Sequence, residues 1–161
     1  MRTLLTLMLL SVAASTFAQT PPPIKRTNPP SLSRPTGYTH VVEVSGPVKT
    51  VYISGQIALD RDGNVVGQGD MKAQAEQVFK NLEAALAAAG AKFSNVVKMN
   101  TYTTDIGQIQ AIRDARGKYF GDVVPASTLV QVVHLARPEL MLEIEVIAVV
   151  PERARVMPAS R

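Results

Sequence analysis

The sequence predicts a two-layer α+β domain in which two helices cover one face of a mixed β-sheet. Strand and helix patterns follow one another in the order β-β-(β)-α-β-α-β-β, where the bracketed element is a short extended segment, without an internal repeat. Because each helix connects two strands, right-handed crossovers place both helices on the same face of the sheet. A chain of 161 residues with 46% hydrophobic content is long enough to form one domain with a substantial core.

The two ends of the chain form separate segments. Residues 1–18 predict a cleavable signal peptide, since Arg2 precedes a short apolar run and small residues precede a cut after Ala18. The pattern then predicts a Pro-rich linker over residues 19–37, a folded domain over residues 38–150 and a basic flexible tail over residues 151–161. We expect an exported, periplasmic protein with no membrane partner, because the apolar run is too short for a permanent span.

Composition excludes several classes of function. The net charge of +4 belongs to the chain ends, because residues 38–150 contain 10 basic and 12 acidic side chains, a net charge of −2. A nucleic-acid-binding domain carries its basic patch on the fold, so this segment argues against a nucleic-acid partner. The sequence contains no cysteine, which excludes disulfides, thiolate nucleophiles and cysteine-ligated metal sites.

The first half of the domain predicts two strands and a long helix. Residues 40–44 and 50–54 are β-branched runs on either side of a Ser-Gly-Pro turn, which predicts an antiparallel pair. Asp70 is the predicted N-cap of a helix that continues to Ala89, and Gly90 ends it. Apolar residues at three- and four-residue spacing indicate that one stripe of this helix is buried.

The second half predicts a strand, a second helix and a β-hairpin. The strand covers residues 95–103, and Asp105 caps a helix that ends at Gly121. Two β-branched runs, residues 127–134 and 140–150, are joined by a Pro-containing turn and therefore predict the hairpin. The helices leave one face of the sheet uncovered, and its strands alternate too little for contact with water. We therefore expect a homo-oligomer that buries this face.

Glu143 and Glu145 are the candidate chemical groups, because they interrupt an otherwise apolar strand. Burying a carboxylate is costly unless a partner satisfies it. The two residues lie on the same face of the strand, and a hairpin turn near Arg137 places Gln131 opposite Glu143 as a hydrogen-bond donor. Two interpretations stay open for each carboxylate: a cleft group that positions a water molecule, or a hydrogen-bonding group at a subunit interface.

Five segments, in this order and spacing, resemble the RidA/YjgF/YER057c/UK114 family. They are Tyr52-Ile-Ser-Gly-Gln-Ile-Ala58, Ala87-Ala-Ala-Gly90, Val96-Val97-Lys98, Pro125-Ala126 and Leu142-Glu-Ile-Glu-Val-Ile-Ala-Val149. The resemblance implies a chorismate-mutase-like α+β fold and a homotrimer whose three clefts open between subunits. It also implies an activity of the 2-iminobutanoate/2-iminopropanoate deaminase type, which hydrolyses reactive enamines or imines to 2-keto acids and ammonia without a metal or an organic cofactor.

The resemblance also assigns site residues. Tyr38 resembles the family's cleft tyrosine, Ser54 and Gly55 the segment whose backbone lines the pocket, and Glu143 the glutamate that positions the attacking water. Ser127 is a departure, because deaminating members read Pro-Ala-Arg-Ser where this chain reads Pro-Ala-Ser-Thr. In the family that arginine binds the substrate carboxylate, and its loss removes about 1.5–3 kcal/mol of substrate binding. The resemblance is therefore to the branches of the family that lack the arginine, for which deamination to a 2-keto acid is not implied.

No other cation is predicted to replace the missing arginine. Arg137 lies at the predicted hairpin turn, and Arg113 and Arg116 lie on the second helix, away from the strand face expected for Ser127. His134 does not share a strand face with Ser127 either. We interpret it as a surface or subunit-seam residue, although an imidazole titrates in the range suited to acid–base chemistry.

Three functions are compatible with the sequence. The first is hydrolysis of a C=N bond in an inter-subunit cleft, with Glu143 as the catalytic residue and Ser127 and Gln131 among the substrate-binding residues. The second is a non-catalytic periplasmic trimer that binds a small molecule in the same clefts. The third is an endoribonuclease-like activity, which the acidic domain and the predicted export disfavour.

Overall fold

The computed structural model describes residues 24–152. The predicted signal peptide, with its cut after Ala18, and the predicted tail beyond Glu152 lie outside the described residues. Within residues 24–152, no helix is both long enough and apolar enough to cross a membrane. The helices and strands, in chain order, are β1 (Ile24–Thr27), β2 (Val41–Val44), β3 (Val48–Ile57), α1 (Met71–Ala88), β4 (Val96–Thr103), α2 (Ile109–Phe120), β5 (Ala126–Gln131) and β6 (Leu142–Pro151).

Four of these strands form the main sheet, in the order β3-β6-β4-β5. β6 is antiparallel to both of its neighbours, whereas β4 and β5 are parallel to each other. α1 packs against β3, β6 and α2, so the helices form a second layer on one face of the sheet. The predicted two-layer α+β class with a mixed sheet is therefore confirmed.

The buried stripe of α1 holds the two layers together. Asp70 caps the helix by accepting hydrogen bonds from the backbone N–H groups of Lys72 at 2.9 Å and Ala73 at 3.1 Å, as predicted. The apolar side chains of this stripe are fully buried and pack against the inward-facing residues of β6. They are Val78, Phe79, Leu82 and Leu86. Full burial of one such side chain stabilises the fold by about 1.5–3 kcal/mol.

α2 begins at Ile109, four residues after its predicted cap, Asp105. Asp105 accepts a hydrogen bond from Gly107 N at 2.9 Å and so caps a single 3₁₀ turn, Ile106–Gln108, that leads into α2. The helix ends at Gly121, as predicted, with a φ of +52°. Aromatic packing joins the helices, because the Tyr119 ring stacks on Phe79 of α1 with centroids 5.3 Å apart.

The antiparallel pair predicted for residues 40–44 and 50–54 is wrong. β2 pairs with β1, and an ion pair of 3.0 Å joins Lys25 and Glu43, which are opposite each other in this two-stranded sheet. β3 pairs with β6 instead. The fold thus reaches back into the predicted Pro-rich linker. A β-branched run indicates a strand, but the choice of partner depends on packing with distant segments.

The hairpin predicted for residues 127–134 and 140–150 is also wrong. β5 and β6 belong to the same sheet, but β4 lies between them. The units β4, α2 and β5 form a parallel crossover, and residues 132–141 then connect β5 to the strand on the other side of β4. A connection of this length does not require adjacent strands, in contrast to a hairpin loop of two to five residues.

Candidate functional site

The face of the sheet opposite the helices presents a row of polar side chains. Residues of β6 alternate between buried and half-buried, so Ile144 and Val146 lie under the helices, whereas Glu143, Glu145 and Ile147 lie on the open face. On β4, Tyr102 is in register with Glu143, and Asn100 is in register with Glu145. Tyr52 of β3 is 78% exposed on this face. Coverage of this surface by another subunit remains a prediction.

Glu145 is held by its neighbours on β4. Its Oε1 accepts a hydrogen bond of 2.7 Å from Asn100 Nδ2 and one of 3.3 Å from the Tyr102 hydroxyl. Burial, together with the negative charge of Glu145, raises the pKa of Tyr102. A carboxylate with two partners in place has a structural role in organising the sheet surface, and both of these partners belong to the same subunit as Glu145.

Glu143 lies against the backbone of a β-bulge. Between the paired residues Ile53–Val146 and Gln56–Ile144, two residues of β3, Ser54 and Gly55, stand opposite a single residue of β6. A Cβ atom at Gly55 would lie 2.7 Å from Glu143 Cδ and 2.8 Å from Cγ. Position 55 is therefore glycine because the Glu143 side chain occupies the space of a side chain there.

The two carboxylates differ in how they are satisfied. Among the described residues, Glu145 receives two hydrogen bonds and Glu143 receives none. Each carboxylate oxygen has lone pairs that need donors, so the Glu143 carboxylate is available to water or to a ligand. Of the two carboxylates, Glu143 is therefore the one that can orient a water molecule.

A depression of about 200 Å³ opens on the same face between β3, β4 and β6. Its polar lining consists of Tyr52, Ser54, Lys98, Asn100 and Glu145. The Lys98 ammonium donates to Thr128 Oγ1 on β5 at 2.8 Å, so this cation is already engaged across the sheet. The structure therefore brings Ser54 and Glu145 to one depression and Gly55 and Glu143 to the adjoining bulge.

Ser127 lies on the other face of the sheet. Parallel pairing sets Thr128 beside Asn100 on the open face and Ser127 beside Met99, which is buried under the helices. Within one subunit, Ser127 and Glu143 therefore point to opposite sides of the sheet. They can contribute to one cleft only if that cleft is completed by two subunits.

Tyr38 lies near the start of β5. Its neighbour Thr39 donates from the backbone N–H to the Pro125 carbonyl at 3.1 Å and from Oγ1 to the Val124 carbonyl at 2.6 Å. The Tyr38 ring is half-buried and packs edge-on against His40, with centroids 5.1 Å apart. These bonds attach the Tyr38 segment to the chain two residues before Ser127.

The predicted pairing of Gln131 with Glu143 is wrong. Gln131 is in register with Thr103, because β4 separates it from β6, and its Oε1 accepts a hydrogen bond of 3.0 Å from Ile106 N. Its amide thus stabilises the turn before α2 and makes no contact with the carboxylate. His134 is exposed just beyond β5, which fits a surface role.

Three functional candidates were missed or set aside at the level of sequence. Asn100 and Tyr102 bind Glu145, and the period-two pattern of β4, which places them on the face opposite Met99 and Thr101, could have identified them. Arg116 is half-buried on the helix layer, the same side of the sheet as Ser127. Within residues 24–152, no group of three or more His, Asp or Glu side chains could hold a metal ion.

Comparison with known proteins matches this arrangement to one family. A family model described as endoribonuclease L-PSP matches residues 31–150. The chain belongs to this family, also called YjgF/RidA. A solved Rid family structure, YyfB from Yersinia pestis, is 35% identical, covers 79% of this chain and 98% of its own, and superposes with a TM-score of 0.71.

Two named relatives show how much of the chain the likeness covers. Protein DfrA of Myxococcus xanthus is 42% identical over 112 residues, which are 70% of this chain and 84% of that protein. A 2-iminobutanoate/2-iminopropanoate deaminase of Dermatophagoides farinae is 35% identical over 122 residues, which are 75% of this chain and 92% of that protein. The chain therefore covers most of the length of a deaminase of the Rid family.

Proposed function

We propose that this protein hydrolyses reactive imines or enamines to a carbonyl product and ammonia, in clefts between the subunits of a homotrimer. The observation that carries the proposal is the Glu143 carboxylate, which rests on the Gly55 bulge without a hydrogen-bond donor among the described residues. Likeness to named deaminases over most of their length supports the same reaction class.

In this mechanism Glu143 is the general base. It orients a water molecule and accepts one of its protons while the water oxygen forms a bond to the C=N carbon. Glu143 gives this proton to the imine nitrogen, which produces a neutral carbinolamine. It then accepts the carbinolamine hydroxyl proton as the C=O bond forms, and it gives this second proton to the nitrogen as the C–N bond breaks. The products are a carbonyl compound and ammonia, so one water is consumed for each C=N bond and Glu143 ends as the carboxylate.

A two-subunit cleft is part of the proposal, because Ser127 and Glu143 lie on opposite faces of one subunit's sheet. Rotational symmetry can place the β5 end of one subunit against the β6 face of the next. We also propose that the protein acts outside the cytoplasm, on the pattern of residues 1–18.

An amino-acid oxidase that generates imines in the presence of the purified protein tests the reaction. We expect faster release of 2-oxo acid and ammonia than with oxidase alone, and a loss of about 10²- to 10⁴-fold in Glu143→Gln. Glu145→Gln is the matched control, because its amide oxygen can still accept the bonds from Asn100 and Tyr102. Equal rates for wild type and Glu143→Gln would contradict the assigned base.

The second candidate is a non-catalytic trimer that binds a small molecule in the same clefts. It is favoured by Ser127, which offers one hydroxyl where deaminating members have an arginine. Ser127→Arg separates the two functions. No acceleration by the wild type, with activity gained in Ser127→Arg, would support binding, whereas activity in the wild type supports catalysis without that arginine.

A further inference from the structure

Arg116 of α2 is a partly buried cation without an acidic partner. Its Nε atom is buried and has no hydrogen-bond partner, and neither of the ion pairs within residues 24–152 includes it. Burial lowers the pKa of the Arg116 guanidinium, and the like charge of Arg113 lowers it further. A buried cation normally has a counter-ion, because its desolvation is costly. An anion bound beside the Arg116 guanidinium would therefore compensate its charge.

The surroundings admit the guanidinium but do not satisfy it. A Cβ atom at Gly37 would lie 3.0 Å from Arg116 Nη1, so the glycine, with a φ of +79°, makes room for the cation. The Phe120 ring centroid is 5.5 Å from Arg116 Cζ. An aromatic face attracts a cation, but here it leaves the Nε–H without an acceptor. The guanidinium is thus held in place, and its Nε–H donates no hydrogen bond.

Arg116 lies against the segment that contains Tyr38, and that segment is hydrogen-bonded to the start of β5. Gly37 directly precedes Tyr38, and Thr39 is bonded to the Val124 and Pro125 carbonyls at the start of β5. The Ser127 side chain, two residues further, is on the face of the sheet that the helices cover. Ser127 was expected on a strand face away from the second helix, but the sheet register places it on the face that the helices cover.

We propose that Arg116 is the substrate-binding cation of this protein, and that it binds the carboxylate of a small 2-oxo or 2-imino acid. The ligand class rests on the proposed function, whereas the need for an anion rests on the unpaired guanidinium. Nε–H and one Nη–H form the side-on pair that donates a hydrogen bond to each oxygen of a carboxylate. In this proposal the cation comes from α2, on the side of the sheet to which Ser127 points, and it replaces the charge that the serine lacks.

Calorimetric titration with pyruvate, a stable 2-oxo acid, tests the assignment on the purified protein. Loss of a charge-assisted pair weakens binding by about 10- to 100-fold, and we expect this for Arg116→Gln. Arg113→Gln removes the same unit of charge from the same helix and should change the dissociation constant by less than about threefold. Pyruvamide, which lacks the carboxylate charge, should not bind the wild type.

A second variant distinguishes a loss of binding from a loss of folding. Arg116→Lys keeps the charge but loses the planar fork, so we expect intermediate affinity with an unchanged melting temperature. Wild-type affinity in Arg116→Gln or Arg116→Lys overturns the proposal, as does loss of binding in Lys98→Gln alone. That second result would assign the carboxylate to the depression on the open face.

The titration separates this inference from the proposed function because it involves no turnover. Pyruvate binding that depends on Arg116, in a protein that hydrolyses no imine, keeps the assignment and rejects the hydrolase. Absence of pyruvate binding to the wild type overturns the assignment, whatever the imine assay gives.

Discussion

Replacing Gly55 with alanine tests whether the Glu143 carboxylate acts from the position in which the fold holds it. The added Cβ would lie 2.7 Å from Glu143 Cδ and 2.8 Å from Cγ. Ordinary contact begins at 3.4 Å, so these carbons must move by 0.7 Å (3.4 − 2.7) and 0.6 Å (3.4 − 2.8). The carboxylate oxygen nearest the bulge must move further still.

The expected effects are a small loss of stability and a large loss of rate. Gly55 is not among the glycines with positive φ, so the backbone accepts alanine, and the end of a glutamate side chain can rotate away. We expect the free energy of unfolding to fall by about 1 kcal/mol, the lower end of overpacking costs. A catalytic group displaced by about 1 Å lowers kcat/KM by about 100-fold.

Gly117→Ala is the matched control. Gly117 is an exposed residue inside α2, and a Cβ there would meet nothing within 4 Å. Because glycine is unfavourable in a helix, we expect this change to raise the free energy of unfolding by about 0.5–1 kcal/mol and to leave the rate unchanged.

A double-mutant cycle isolates the contact between positions 55 and 143. In a Glu143→Ala background the side chain that the added Cβ would strike is gone, so the stability cost of Gly55→Ala should disappear, a coupling of about 1 kcal/mol. Urea unfolding of the four proteins measures it. Two results would refute the reasoning: wild-type rate in Gly55→Ala, or the same stability cost in both backgrounds.

Further predictions concern the core, a helix cap, a titration and the assembly. Leu82→Ala, at a fully buried position, should lower the free energy of unfolding, measured by urea denaturation, by about 2–5 kcal/mol. Asp70→Ala should lower the same quantity by about 1 kcal/mol, because the helix loses its N-cap. The pKa of Tyr102 is raised, so its phenol loses its proton above the ordinary value of 10.0. The stability that the neutral phenol contributes is complete below the unfolded-state pKa and is lost as the pH rises through the folded-state pKa. Ultraviolet titration of the phenolate measures this, and an unchanged Tyr102 pKa in Glu145→Gln would contradict the cause. Tyr52→Asp, on the exposed sheet face, should convert the expected trimer to monomer in sedimentation, and a wild type that already sediments as a monomer would contradict the trimer.

Local chemistry was sufficient to predict individual elements. The N-cap Asp70, the apolar spacing through Leu82 and the glycine at position 90 define α1 within a single stretch of chain. The same holds for the end of α2 at Gly121. Helical hydrogen bonds and caps join residues a few positions apart, so the sequence pattern contains the information that such an element needs.

Strand pairing, and with it the candidate site, depended on the tertiary structure. Alternation along β5 and β6 showed that neighbouring residues face opposite sides, but not that β4 lies between the two strands. That order of strands separates Gln131 from Glu143 and turns Ser127 to the face of the sheet that the helices cover. The sequence by itself determined the fold class, the family resemblance and the residue types available for chemistry. Only the packing of distant segments decided which of these residues lie together. Sheet register depends on contacts between parts of the chain that are far apart in sequence, and the local pattern of one strand does not specify its partner.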